Sequence, residues 1–144
     1  MDSFSKSAMR FVLLDHRPAD GNDRSASRTR QRHFDLMLDV SDPAGLITFA
    51  FESMPQIESP VSFVKLAHHR EEYLHYEGPI SGNRGEVSRV GLGEFTASDI
   101  AAVVTGEGRV KLKFDPTSPQ FAQEWWDLEF CRGMLIRHRP TSKN

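Results

Sequence analysis

Three features of the sequence predict a mainly β fold, a small closed or partly closed β-barrel of about eight strands with one short helix. Most patterned segments alternate apolar and polar residues, or form short apolar runs between turn residues, which is the period of strands. Only one stretch carries the spacing and end signals of a helix. Many short strands in a chain of 144 residues leave sheet edges to hide, and closure removes them.

In chain order the strand segments are "MRFVLLDH" (9–16), "RHFDLMLDV" (32–40), "GLITFAFE" (45–52), "SFVKLAHH" (62–69), "YLHYEG" (73–78), "EVSRVGLGEF" (86–95), "RVKLKF" (109–114) and "WWDLEFCRGMLIRH" (125–138). Gly133 in the last marks a bulge or turn that splits it in two. "SDPAG" (41–45) lies between two strand patterns and reads as a hairpin turn, Pro43 and Gly45 taking the special backbone angles. The helix is "TASDIAAVVTGEG", with Ser98 or Thr96 as N-cap, Asp99 in the first turn and Gly106 as the stop.

Length and composition bound the function. Residues 1–144 are expected to form a single domain, long enough for a core without disulfides or structural zinc. No apolar run approaches the roughly 20 residues that span a bilayer, so no membrane association is expected. The apolar stretch Met9 to Leu14, interrupted by Arg10, is too short for a signal-peptide core, and the expected location is cytoplasmic. Cys131 is the single cysteine, so any metal must rest on His, Asp or Glu. The net charge of −2 removes a strongly basic domain as an argument for nucleic-acid binding. Local charge carries that argument instead. Residues 17–32 hold Arg17, Arg24, Arg28, Arg30 and Arg32 against Asp20 and Asp23, without apolar periodicity, and read as a basic flexible loop. Such a loop either contacts phosphate or is a solvated linker.

The chemistry-bearing residues fall into two groups. On a strand over 32–40, His33, Asp35, Met37 and Asp39 share one face, and Phe34, Leu36, Leu38 and Val40 the other, a core face. His33 and Asp35 then sit roughly 6–7 Å apart along the chain, close enough to converge on one ion. A metal site, a phosphate site and a wet sheet face all fit that spacing. His16 is the natural candidate for a third ligand, because it ends the first strand just before the loop that leads to His33 and meets it if the two strands pair; read alone, it fits a capping or surface histidine. The second group is "HHREEYLHYEG", in which His69 and Tyr73 bracket a turn-like tetrad. Imidazole, phenol and nearby arginine donate hydrogen bonds to phosphate. Equally, Tyr73 and Tyr76 fit as core aromatics beside merely polar His68, His69 and His75.

Taken in order, these blocks resemble the 3′-phosphoesterase domain of bacterial DNA ligase D and its stand-alone relatives. That family's first block, Phe-Val-Val-Gln-x-His, is similar to "FVLLDH" ending at His16. His-Tyr/Trp-Asp-x-Arg-Leu is similar to "HFDLML". A Trp-Ala-Pro-like strand, here "ITFAFESMP", precedes His-Pro-x-x-Tyr and Phe/Tyr-Glu-Gly, which resemble "HREEYLHYEG". The tail strands are similar to "GRVKLKF" and "CRGMLIRH", so the likeness runs along nearly the whole chain. It implies a small β-barrel holding one metal, typically manganese, on His16, His33 and Asp35, with His69 and Tyr73 as catalytic phosphate contacts.

The departures from that pattern bear on activity. Met37 stands where the family has arginine, and Lys65, Arg70, Arg84, Arg28 and Arg30 are the replacement cations the sequence offers. The Arg-rich stretch lengthens the connection between the two histidine-bearing strands, and Arg70 replaces the family's proline. The function the resemblance implies is metal-dependent trimming of DNA 3′ ends, removing a 3′-phosphate, with a 3′-ribonucleotide as a further candidate. Separate ligase and polymerase proteins of end joining would be its partners. The alternative is a catalytically degenerate nucleic-acid or phosphate-binding barrel. A small-ligand barrel of lipocalin type fits less well, because polar residues mark the proposed cavity.

Overall fold

The computed structural model describes residues 9–18, 31–80 and 84–140. Strand β1 (Met9–Arg17) pairs antiparallel with β2 (His33–Asp39), from Arg10 opposite Asp39 to His16 opposite His33. The turn at 41–45 leads into β3 (Leu46–Phe51). There follow β4 (Val61–Ser62), β5 (Val64–His69), a 3₁₀ turn (Glu71–Leu74), β6 (Gly78–Pro79) and β7 (Glu86–Ala97). The helix α1 (Ile100–Val104) precedes β8 (Gly108–Phe114), β9 (Trp125–Cys131) and β10 (Met134–His138). The strands form one antiparallel sheet in the order β4-β10-β9-β8-β7-β1-β2-β3-β5, with β6 on β7. Among the described residues no helix is long and apolar enough to cross a membrane.

The two ends of that order, β4 and β5, are separated in sequence by Phe63 alone. The sheet therefore curls until its edges meet at one residue. No ladder joins β4 to β5 among the described residues, so the barrel is partly closed and the chain itself bridges the seam. The Phe63 amide donates to the Gly133 carbonyl at 2.9 Å, and its ring packs edge-on against Phe49 of β3 and Phe130 of β9, at 5.5 and 5.1 Å.

The described residues form ten strands where the sequence pattern predicts about eight, for local reasons. "SFVKLAHH" is interrupted at Phe63, with β4 before it and β5 after it serving opposite edges of the sheet. "WWDLEFCRGMLIRH" is a β9–β10 hairpin whose Arg132 and Gly133 both take positive φ, as a primed turn requires. "YLHYEG" is not a strand. Tyr73 folds back to pack edge-on against both His69 and Tyr76, and its segment forms the 3₁₀ turn. The helix cap is Asp99 rather than Ser98 or Thr96, its carboxylate accepting the Ala102 N–H at 3.2 Å.

Alternation along β1, β2 and β3 sends Phe11, Leu13, Leu36, Leu38, Ile47 and Phe49 into the main core inside the curl. The opposite face is also dry. Val12, Leu14, Met37, Leu46 and Val87 form a second, smaller cluster, covered by Tyr73, Leu74 and Ile80. A β-bulge where β7 meets Leu13 and Leu14 resets the alternation, so that both Val87 and Leu92 reach this second cluster. Of the readings open for that face of β2, the wet sheet face gives way to a two-layered arrangement, with the 71–80 segment as the outer layer.

Gly45 is the hinge of that arrangement. Its φ is +119°, and a Cβ there would lie 2.2 Å from the His69 carbonyl oxygen. Gly45→Ala is expected to cost about 2–4 kcal/mol, combining backbone strain with displacement of the end of β5. Urea unfolding of the metal-free protein measures it, and an unchanged midpoint would mean that the turn does not pack on β5 as described.

Candidate metal centre

His16 and His33 face each other across the β1–β2 pair, their rings 4.5 Å apart. Asp35 lies on the same face of β2, two residues on. Its carboxylate is 1% exposed. His16 Nδ1 is 3.3 Å from Asp35 Oδ2, and His33 Nε2 is 3.3 Å from Oδ1. One ligand atom from each of the three residues falls within 4.8 Å of the others. Atoms bound to one ion at about 2.1 Å stand roughly 3–4 Å apart, so this group could hold a metal ion.

The backbone decides which ring nitrogens face the carboxylate. His16 Nε2 donates to the Arg84 carbonyl at 2.9 Å, and His33 Nδ1 donates to the Gln31 carbonyl at 3.1 Å. A carbonyl oxygen only accepts, so those nitrogens carry the protons. In the neutral rings, the nitrogens turned toward Asp35 therefore carry lone pairs. Among the described residues, the buried oxygen Oδ1 has no hydrogen-bond partner. Two lone pairs and a carboxylate converging out of water repel unless a proton or a cation lies between them. The donor set thus fits a divalent ion, with positions left for water or substrate.

The titration of the metal-free group follows from the same geometry. Burial works against a proton on His33, but its contact with Asp35 and the Gln31 carbonyl outweighs it, and the pKa is raised. Burial would raise Asp35, but the two imidazoles outweigh it, and its pKa is lowered. His33 therefore contributes stability that is full below the ordinary imidazole pKa and lost as pH rises through its folded value. Asp35 contributes stability that is full above the ordinary carboxylate pKa and lost as pH falls through its lowered value. Both are present together between roughly pH 4 and 6.5. Metal ligation needs both imidazoles neutral, so affinity falls as pH drops through the raised His33 value. A saturating divalent ion is expected to raise Tm by about 5–10 °C at pH 8 and by clearly less at pH 6. Thermal melts at the two pH values, with and without metal, read this directly.

The second group meets the first in one cavity of about 600 Å³, to which His16, His33, Asp35, His69 and Tyr73 all contribute. The 3₁₀ turn holds Tyr73 over the second cluster, edge-on to the His69 ring at 5.7 Å. His69 Nδ1 donates to the Ala67 carbonyl at 3.0 Å. Burial, helped by the charges of His16 and His33, outweighs the pull of Asp35 and lowers the His69 pKa. At neutral pH His69 is thus uncharged, its Nε2 unprotonated.

Of the cations offered by the sequence, Arg70 and Arg84 line the cavity and Lys65 does not. Arg70 pairs with Glu72 at 3.4 Å on the surface, a contact weak enough to exchange for an anion. Arg28 and Arg30 lie outside the described residues. Arg32, at the end of the basic stretch, grips buried Asp15 through two hydrogen bonds of 3.0 and 2.7 Å, on the face of β1 away from the ligands. Arg17 also reaches Asp15, at 3.5 Å. Sequence reading missed the Gln31 and Arg84 carbonyls, which no side-chain motif can signal. Met37 lines the cavity wall but is 1% exposed, an apolar packing residue of the second cluster.

The fold and site together define a curled antiparallel sheet bearing a two-histidine, one-carboxylate cluster on the outward face of β1 and β2. No protein-family model matches the chain, and no curated protein matches it.

Proposed function

We propose that this protein is a metal-dependent phosphoesterase that removes the 3′-phosphate from DNA ends, with manganese as the ion and a 3′-ribonucleotide as a further substrate. The observation that carries the reading is the convergence of two imidazole lone pairs on a buried, partly unpartnered carboxylate, in a cavity that also holds His69, Tyr73 and two arginines. A divalent ion bound there supplies Lewis-acid polarisation of a phosphate oxygen. The residues do the rest. Arg70 and Arg84 offset the phosphate charge, and the Tyr73 hydroxyl donates to a non-bridging oxygen. His69, neutral with Nε2 unprotonated, takes the proton of the attacking water as the P–O3′ bond breaks, and a proton from solvent completes the departing 3′-hydroxyl. Separate ligase and polymerase proteins of end joining would use the resulting 3′-hydroxyl.

The test is a primer-template bearing a 3′-phosphate, incubated with the purified protein with and without manganese. Conversion to the hydroxyl only with metal is expected. A second reading, a degenerate phosphate-binding module, is favoured by Met37, which packs as a core residue where the resembled family carries arginine. Metal-loaded protein that binds inorganic phosphate but releases none from DNA would support that reading instead.

A further inference from the structure

We propose that a second groove, adjoining the cavity of the cluster, is a subsite for a nucleoside, the uncharged half of a phosphate ester whose phosphate lies at His16, His33 and Asp35. The proposal rests on reading that cluster as a phosphoester site. The groove, of about 730 Å³, shares His33 and Leu66 with the first cavity. It begins one strand away from the carboxylate, since Ala50, which lines it, is the register partner of Asp35. From there it runs over β3 to the seam between β4 and β5.

The two cavities differ in charge. Arg70 and Arg84 line the first, whereas no Lys or Arg lines the second among the described residues, and Glu52 is its one carboxylate. A nucleic-acid strand brings one negative charge per nucleotide, and a groove without cations does not hold it. An uncharged, flat group suits it better. Val61, Val64, Leu66 and Met134 offer apolar contact, and Gln31, Ser53 and Ser62 offer hydrogen bonds to the edges of a base or a sugar. Val64 is 61% exposed, an unusual state for a large apolar side chain in this protein, and a base lying on it would cover it. The division of labour is then clear: phosphate on the arginine side of His33, nucleoside on the other.

Calorimetry on manganese-loaded protein tests this with a matched, non-hydrolysable pair, thymidine 3′-methylenephosphonate and methylphosphonate. The nucleoside-bearing compound is expected to bind at least about tenfold tighter, a difference of roughly 1.4 kcal/mol. Val64→Asp, at an exposed position that folding tolerates, is expected to bring the two affinities within about threefold of each other. Equal affinities in the wild type would overturn the subsite and leave the phosphate site standing. A preference that survives Val64→Asp would overturn its assignment to this groove. If manganese binds and neither phosphonate does, the phosphoester reading and the subsite fall together.

Discussion

At pH 8, above the range in which a protonated His33 steadies the Asp35 carboxylate, asparagine in place of Asp35 is expected to abolish metal binding while leaving the metal-free protein at least as stable as the wild type. Asp35 presents two buried oxygens to two ring nitrogens whose protons are committed elsewhere, to the Gln31 and Arg84 carbonyls. An asparagine of the same shape offers an N–H₂ group to one of those lone pairs. It thereby supplies the donor that the wild type lacks and relieves the unpartnered Oδ1. The same change removes the anionic ligand. Affinity for a divalent ion is expected to fall at least about 100-fold, or roughly 3 kcal/mol. Any metal-dependent turnover should drop to background, as it should for His33→Ala. Melts with and without manganese separate the two effects, because the variant should keep its metal-free Tm and lose the metal-induced rise. The His33 resonance should also titrate at lower pH, since the charge that raises its pKa is gone. A variant that still gains Tm on adding manganese would show that the three residues do not bind it together.

Much of this site was legible in the sequence because β-strands convert spacing into facing. Once residues 9–17 and 33–39 form a hairpin, a histidine at the end of one strand and a His-x-Asp at the start of the next must meet, and the register pairs His16 with His33. Helix α1 was legible from its breaker at Gly106, though its cap was displaced by one residue because a carboxylate at Asp99 can do what a hydroxyl does. The seam was not legible. Residues 61–69 keep strand-like character through Phe63, and nothing in a period-two pattern says that hydrogen-bond partners change from β10 to β3 at that point. The dry outer face was hidden for a related reason. Val12 and Leu14 show that both faces of β1 are apolar, but only the fold of residues 71–80 shows what covers the second. The stretch Tyr73-Leu74-His75-Tyr76 mimics a strand, whereas ring-on-ring packing of Tyr73 against His69 and Tyr76 makes it a turn.

Met37→Arg is expected to destabilise the metal-free protein by about 3–5 kcal/mol without increasing turnover. Met37 is buried among Val12, Leu14, Leu46 and Val87, and this cluster is the floor on which Tyr73, Leu74 and Ile80 rest. An arginine must thread its stem through that floor and bring a guanidinium to the cavity, where it adds positive charge beside two imidazoles. The floor loosens, and Tyr73 loses its support. In exchange the cavity gains a cation where Arg70 and Arg84 already stand. The strand thus carries packing that fixes the outer layer in place of charge, so that neutralising a phosphate would fall to Arg70 and Arg84, which flank that layer and line the cavity. Chemical denaturation gives the stability change, and the 3′-phosphate assay gives the turnover. A rise from no measurable turnover to clear turnover in Met37→Arg would mean that the missing arginine is the missing catalytic element, and that the natural chain binds phosphate without cleaving it.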